Sequence, residues 1–318
     1  MTTKKPIIMD VDTGVDDSLA MLLAAASDKI EVKAFTTVFG NRPVEVTTHN
    51  TLKVAELLGL DAPVAKGDSR PYIDPPIDFS QEPVVDVHGK DGLGNVGHTI
   101  PEPTREACTL AAAELMAKVL RESDEKVTIV ATAPLTNIAT FLVAYPNLHE
   151  KIECIAFMGG AAIGGNAMPS CEANIWHDPD AAQVVMQSGV KLVMFGLDAT
   201  MGCFITDDER AQLKANGGKV GEFMCNCLQQ YAALYQNLAG LPGAVLHDSL
   251  PLAWVLDESV AELEHHYVEV ALDGHLTRGE TVVDRRLQLG KAPNCYVAMR
   301  ADRDKLIAMH LEAVKKFG

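Results

Sequence analysis

The sequence predicts a single α/β domain built on an open, mostly parallel sheet flanked by helices. Three observations carry that prediction. Short β-rich runs alternate with amphipathic helical stretches through the first two thirds of the chain, the pattern of parallel βα units rather than of meandering sheets. Loops rich in Gly, Asn, Asp or Thr follow these runs, as expected where strand ends line a ligand-binding crevice. A length of 318 residues with 47% apolar content is enough to bury one large core.

The elements follow in order. Residues 5–11 read as a buried strand, Asp12-Thr13-Gly14-Val15 as a turn, and 16–27 as a helix with Leu19, Leu22 and Leu23 at helical spacing. Further strands are expected at 30–38, 126–131, 152–158 and 191–196. Residues 69–103, rich in Pro, Gly and Asp and without clear periodicity, read as a long loop on the active side. Helical patterns return at 207–215, 220–238 and 247–256; β-like stretches at 265–272 and 295–299 precede a closing helix. No internal repeat or low-complexity tract is present.

The net charge of -16 and a pI near 5.0 argue against a nucleic-acid polymer as partner, because such binders replace condensed counterions with Lys and Arg. An uncharged small molecule such as a free nucleoside is compatible with them. No apolar run approaches membrane-spanning length, and the short 7–9 run is no signal-peptide core. The seven cysteines are scattered, so neither a zinc site nor a disulfide framework is read, and a reduced, cytoplasmic enzyme is expected.

Asp10, Asp12, Asp16 and Asp17 fall within eight positions at the end of the first strand. Their repulsion is costly unless a cation resides among them. A hard divalent ion fits an all-oxygen set, and calcium accepts irregular carboxylate geometry more readily than magnesium. Asp16 and Asp17 also stand at a helix start, where the dipole favours negative charge. A DxD after a first strand also resembles the magnesium phosphatases of the haloacid dehalogenase type, with Asp10 as the phosphorylated nucleophile. That pattern usually has Thr or Val where Gly14 stands, and lacks the doubled Asp16-Asp17.

The whole segment Asp10-Val-Asp-Thr-Gly-Val-Asp-Asp17 resembles the DxDPGxDD signature of the inosine-uridine-preferring nucleoside hydrolases, with Thr13 in place of Pro. Family-like segments then follow in the family's order: Thr36 to Asn41 (TTVFGN), His88 to Gly94 (HGKDGLG), Ala133 to Asn137 (APLTN), Met158-Gly-Gly160, Asn166 to Asn174 (NAMPSCEAN) with Asp178-Pro179, Leu197 to Thr200 (LDAT), and His247-Asp248. Several motifs in one order across most of the chain exceed chance.

The resemblance implies a nucleoside hydrolase-like fold with a Rossmann-like core and hydrolysis of ribonucleosides to base and ribose. It further implies a calcium ion held by Asp12, Asp17, the Thr132 carbonyl and Asp248, with Asp16 as general base and Asp10 in support. Asn41, Asn166, Glu172 and Asn174 match the sugar-binding residues, Met158 lies against the ring, and His88 belongs to the substrate side. His247 matches the donor to the leaving base, a task that suits a neutral-range imidazole. Tyr231 and Tyr235, four apart on an expected helix, are added from spacing as residues that could stack on a base or lid the pocket. A homodimer or homotetramer is expected from the same resemblance. A catalytically silent nucleoside binder is the third reading. Neither it nor the phosphatase accounts for base, metal and ribose residues occurring together.

Overall fold

Alternation along the first strand divides the interior into two layers. In the computed structural model, which describes residues 4–79 and 86–318, β1 (Lys5–Val11) sends Ile7, Met9 and Val11 into one apolar cluster and Ile8 into the other. Period-two side chains buried on both faces mark a central parallel strand. Around it lie β2 (Ile30–Thr37), β3 (Val64–Lys66), β4 (Val127–Ala131), β5 (Ile152–Met158) and β6 (Leu192–Phe195). Next come β7 (Phe204–Thr206), β8 (Gly243–Val245), β9 (Ala261–His266), β10 (Val268–Val270), β11 (Thr281–Val283) and β12 (Cys295–Ala301).

The main sheet runs β3-β2-β1-β4-β5-β6-β12-β9. Every pairing in it is parallel except that of β12 with β9. The chain moves outward from β1 to β3 and returns on the other side at β4, so the crevice between the carboxyl ends of β1 and β4 is the topological switch point. Helix Val15–Ala26 packs in the first layer, and helices Ala112–Glu122, Thr136–Ala144 and Pro179–Met186 in the second.

The expected strands at the core are present within two residues of their ends. The stretch 265–272 is instead split between β9 in the main sheet and β10 in a separate ribbon with β11. The helix expected at 247–256 begins at Ser249, with Asp248 as its N-cap. β3, β7, β8 and β11 have three residues each, too few for periodicity to reveal. The described part of 69–103 holds one short 3-10 turn, Gly97–Thr99; residues 80–85 of that loop lie outside the described ones.

The β7–β8 ribbon closes the base of a helical excursion, Asp207–Asn216 and Gly218–Ala239. Beyond it, Leu246 donates its amide to the Cys203 carbonyl (2.7 Å), which brings His247 and Asp248 to the rim. The seven cysteines are all free. Among the described residues, no helix is long and apolar enough to cross a membrane.

Candidate active site

A strand end and two helix N-termini supply the floor of the crevice. Asp12 follows β1, Asp16 and Asp17 occupy the first turn of helix Val15–Ala26, and Asp248 caps helix Ser249–Leu256. One carboxylate oxygen from each of Asp16, Asp17 and Asp248 lies within 4.8 Å of the others. Asp17 is held by the Gly14 amide (2.8 Å) and the Thr132 hydroxyl (2.7 Å). Asp12 stands outside that trio and accepts from Asn41 through both its backbone amide (2.7 Å) and its Nδ2 (3.1 Å). Gly14 is required by crowding, since a Cβ there would lie 2.5 Å from His88 Nδ1 and 2.7 Å from Asn41 Nδ2.

These acids are all buried. Burial, and then the charge of Asp17, pushes Asp16 up to about 7. Burial raises Asp17 to about 6. Asp12 and Asp248 are raised well above the carboxylate range by burial first, then by repulsion from Asp17 and Asp16 respectively. Asp16 Oδ1 is buried with no hydrogen-bond partner. Clustered hard oxygens that repel one another and leave one atom unpartnered fit a divalent cation of the calcium type.

Asp10 stands apart from this group. It accepts from the Thr36 hydroxyl (2.5 Å) and Asn137 Nδ2 (2.8 Å), while its carbonyl takes the Thr132 amide (2.9 Å). It thereby ties β1 to β2 and β4, a supporting position, and burial raises its carboxyl to about 7.

Asn174 joins the floor to the sugar side. Its Nδ2 donates to the carbonyls of Thr132 and Met158 (3.2 Å each) and lies 3.4 Å from Met158 Sδ. Glu172 caps the short helix Ala173–His177, its carboxylate taking the amides of Gly160, Asn174 and Ile175 at 2.9, 2.9 and 3.2 Å. Asn166, expected beside the sugar, sits on an exposed turn with its Oδ1 on the Ala173 amide (2.9 Å). The turn 166–171 is held by its own backbone bonds to Cys171, and the Asn166 side chain links it to helix Ala173–His177.

Above the acids stands a roof of aromatic and imidazole groups. The Tyr231 hydroxyl donates to Asp16 Oδ2 (3.2 Å) and the ring lies 5.5 Å from that of His88. His88 Nδ1 accepts the Val15 amide (3.2 Å) and is 3.8 Å from Asp16 Oδ1. Burial and the neighbouring Arg42 hold His88 down at about 3, so its ring proton is on Nε2. Tyr235 packs edge-on against Tyr231 (5.1 Å), and its hydroxyl meets His247 Nε2 (2.7 Å). The Thr200 hydroxyl meets His247 Nδ1 (2.8 Å). Burial lowers His247 to about 4. The two tyrosines, singled out by spacing, both reach polar groups of the site.

The departures from the motifs have local partners. The Thr13 hydroxyl pairs with that of Thr51 (2.6 Å). The Thr13 carbonyl accepts from Asn50 Nδ2 (3.2 Å). Ser249 Oγ pairs with His310 Nε2 (2.9 Å) from the closing helix. Sequence reasoning assigned no role to Thr200, Arg42 or Gln230. Thr200 and Arg42 adjoin or lie in flagged motifs, whereas Gln230 carries no local signal.

Comparison with known proteins agrees with this geometry. The family model described as inosine-uridine preferring nucleoside hydrolase matches residues 7–308. The pyrimidine-specific ribonucleoside hydrolase RihA of Citrobacter koseri is 40% identical over 310 residues, 96% of this chain and 97% of that protein. Its counterpart in Escherichia coli O1:K1 is 39% identical over 313 residues, 98% of each. Among solved structures, the purine-preferring ribonucleoside hydrolase from Gardnerella vaginalis superposes with a TM-score of 0.90 at 31% identity, covering 98% of this chain and 99% of that one. A plant nucleoside hydrolase does so at 0.89 and 28% identity, with the same coverage. With the family model matching residues 7–308 and relatives 39–40% identical across nearly the full chain, this chain belongs to the inosine-uridine preferring nucleoside hydrolase family.

Proposed function

We propose that this ribonucleoside hydrolase acts on pyrimidine ribonucleosides, with Asp16 as the general base and calcium as the resident ion. The observation that carries the reading is Asp16 Oδ1, buried and unpartnered among Asp17 and Asp248. A base needs a free lone pair facing the water it deprotonates. Tyr231 donates to the other oxygen, Oδ2, and so leaves Oδ1 as the accepting atom. Asp12, Asp17, the Thr132 carbonyl and Asp248 would hold the ion. Calcium there would lower the pKa of water and accept ribose hydroxyls as ligands.

The remaining steps belong to side chains. Cleavage of an N-glycosidic bond develops positive charge on the sugar, and the surrounding carboxylates and the oxygens of Asn41, Glu172 and Asn174 favour it. Sites built to bind hydroxyls reject the deoxy sugar, because their polar groups are then left unpaired. The departing base needs a proton. His247, held between the hydroxyls of Tyr235 and Thr200, is the side chain assigned to give the base that proton, and the proton Asp16 takes from water balances it over the turnover. The pyrimidine preference is carried over from the names of the relatives that are 39–40% identical across nearly the full chain.

The test is release of reducing sugar from a panel of purine and pyrimidine ribonucleosides, deoxyribonucleosides and nucleotides, before and after calcium is stripped and restored. Calcium-dependent ribose release, fastest with uridine or cytidine, is expected. Release faster with purines overturns the base preference. Phosphate release from nucleotides would favour the phosphatase reading instead.

A further inference from the structure

One half-buried side chain that the chemistry above does not use joins the roof helix to the His88 loop. Gln230, on helix Gly218–Ala239, donates from Nε2 to the Asp86 carbonyl (3.0 Å) and accepts at Oε1 from Asn95 Nδ2 (2.7 Å). It therefore grips the loop on both sides of His88. Asn95 itself is at φ 63° and its Oδ1 takes the Lys90 amide (2.8 Å). The Asp91 carboxylate organises the same loop through the amides of Leu93 and Asn95 (2.8 Å each) and Gly97 (2.9 Å). Arg42 braces it from the opposite side, donating Nε to the Gly89 carbonyl (2.9 Å) and pairing with Asp86. At Gly94, with φ 68°, a Cβ would lie 2.4 Å from the Cys227 carbonyl oxygen, so loop backbone rests directly on helix backbone.

The residue after Gln230 is Tyr231, which donates to Asp16; one turn on, Tyr235 meets His247. We infer that Gln230 and Asn95 form a clasp that makes the His88 loop and the roof helix one body, fixing together the contacts of His88 and Tyr231 with Asp16. Both are positioning residues. The inference rests on the reading of Asp16 as the base. Without the clasp, the loop must be ordered anew at each binding event, and that cost falls on substrate capture rather than on the chemical step.

The test compares Gln230→Leu, Asn95→Gly and the double variant with the parent, each loaded with calcium. Gly accepts the backbone angle at position 95, and Asn95 is exposed, so that variant keeps the fold. With uridine, KM is expected to rise roughly tenfold for the loss of two hydrogen bonds, with kcat within about threefold and Tm and calcium affinity unchanged. The double variant is expected to fall short of the sum of the two single effects, because the Gln230–Asn95 bond is lost only once while Asn95→Gly also removes the bond to the Lys90 amide. Hydrogen exchange at the amides of 86–97 is expected to quicken in the same variants. Parental KM together with parental exchange overturns the clasp, as does full additivity of the two substitutions or an equal fall in kcat. If the parent hydrolyses no ribonucleoside, the functional reading fails by itself, and the exchange rates still decide the clasp.

Discussion

The floor and the roof of the crevice are made by different means. In the floor, three of the four acids, Asp12, Asp16 and Asp17, come from one continuous segment, where the Gly14 amide holds Asp17 locally while Asn41 and Thr132 hold Asp12 and Asp17 from neighbouring strand ends. In the roof, His88, Tyr231, Tyr235 and His247 come from distant segments, joined by side-chain contacts across the crevice. The floor accumulates like charge at the cost of stability, and the roof spends its hydrogen bonds on orientation. A floor of this kind needs a cation. A roof of this kind needs a correct third dimension before any of its parts have a purpose.

The largest test of that division is Asp16→Asn. Turnover is expected to fall by roughly 10²–10⁴-fold, the usual contribution of a general base, while calcium binding by isothermal titration persists. Parental turnover in this variant would remove Asp16 from the floor's chemistry. Next in size is the response of stability to calcium and pH. Without the ion, Asp10, Asp16 and Asp17, with folded values of about 7, 7 and 6, retain protons that the unfolded chain has already lost above its ordinary carboxyl value of 3.8. Stability of the stripped protein is therefore full below about pH 4 as far as these groups are concerned, and falls as pH rises through 4 to 7. Calcium offsets that loss, so the Tm gap between loaded and stripped protein should widen from pH 5 to pH 8. An equal gap at both pH values would mean that the floor is not the seat of the ion.

The roof yields smaller effects. Tyr231→Phe removes one donor to Asp16 and is expected to lower kcat/KM about three- to tenfold, measured with saturating calcium. No change would show that the tyrosine packs without orienting the base. Smallest is Thr51→Val, which leaves the Thr13 hydroxyl with only its long contact to Met21 Sδ (4.0 Å) and should cost about 1 kcal/mol in urea unfolding. Thr13→Pro in that background should recover much of it, because the family's residue brings no hydroxyl to satisfy. Failure of the recovery would place the cost of Thr51→Val in packing.

This contrast also explains what could be read in the chain. Asp10 to Asp17 lie next to one another in sequence, so their repulsion, the helix start and the need for a cation were visible without coordinates. Long alternating strands such as Lys5–Val11 and Ile152–Met158 announced the sheet. Three-residue strands such as Val64–Lys66 did not, because nothing periodic fits in so short a run. The low pKa of His247 follows from burial beneath Tyr235 and Thr200, a property of packing rather than of residue type. Tyr231 had the right spacing for a lid, but its hydrogen bond to Asp16 joins residues 215 positions apart. Gln230 likewise meets Asn95 across 135 positions. Asn166 likewise meets the Ala173 amide of a neighbouring helix, a contact that its motif match did not announce.

The route by which Asp248 reaches the floor has a kinetic consequence. It arrives only after the β7–β8 ribbon and the two helices between them have closed, whereas Asp16 and Asp17 belong to the first βα unit. During synthesis the carboxylate trio is therefore incomplete until most of the chain has emerged, and a nascent first unit has no full cage to offer. Joining residues so far apart in sequence carries a larger loop-closure cost than joining neighbours, which favours its formation after the folding transition state. An ion that bridges them stabilises the native state more than the transition state. It would lengthen the lifetime of the finished protein by slowing unfolding, while leaving the folding rate nearly unchanged.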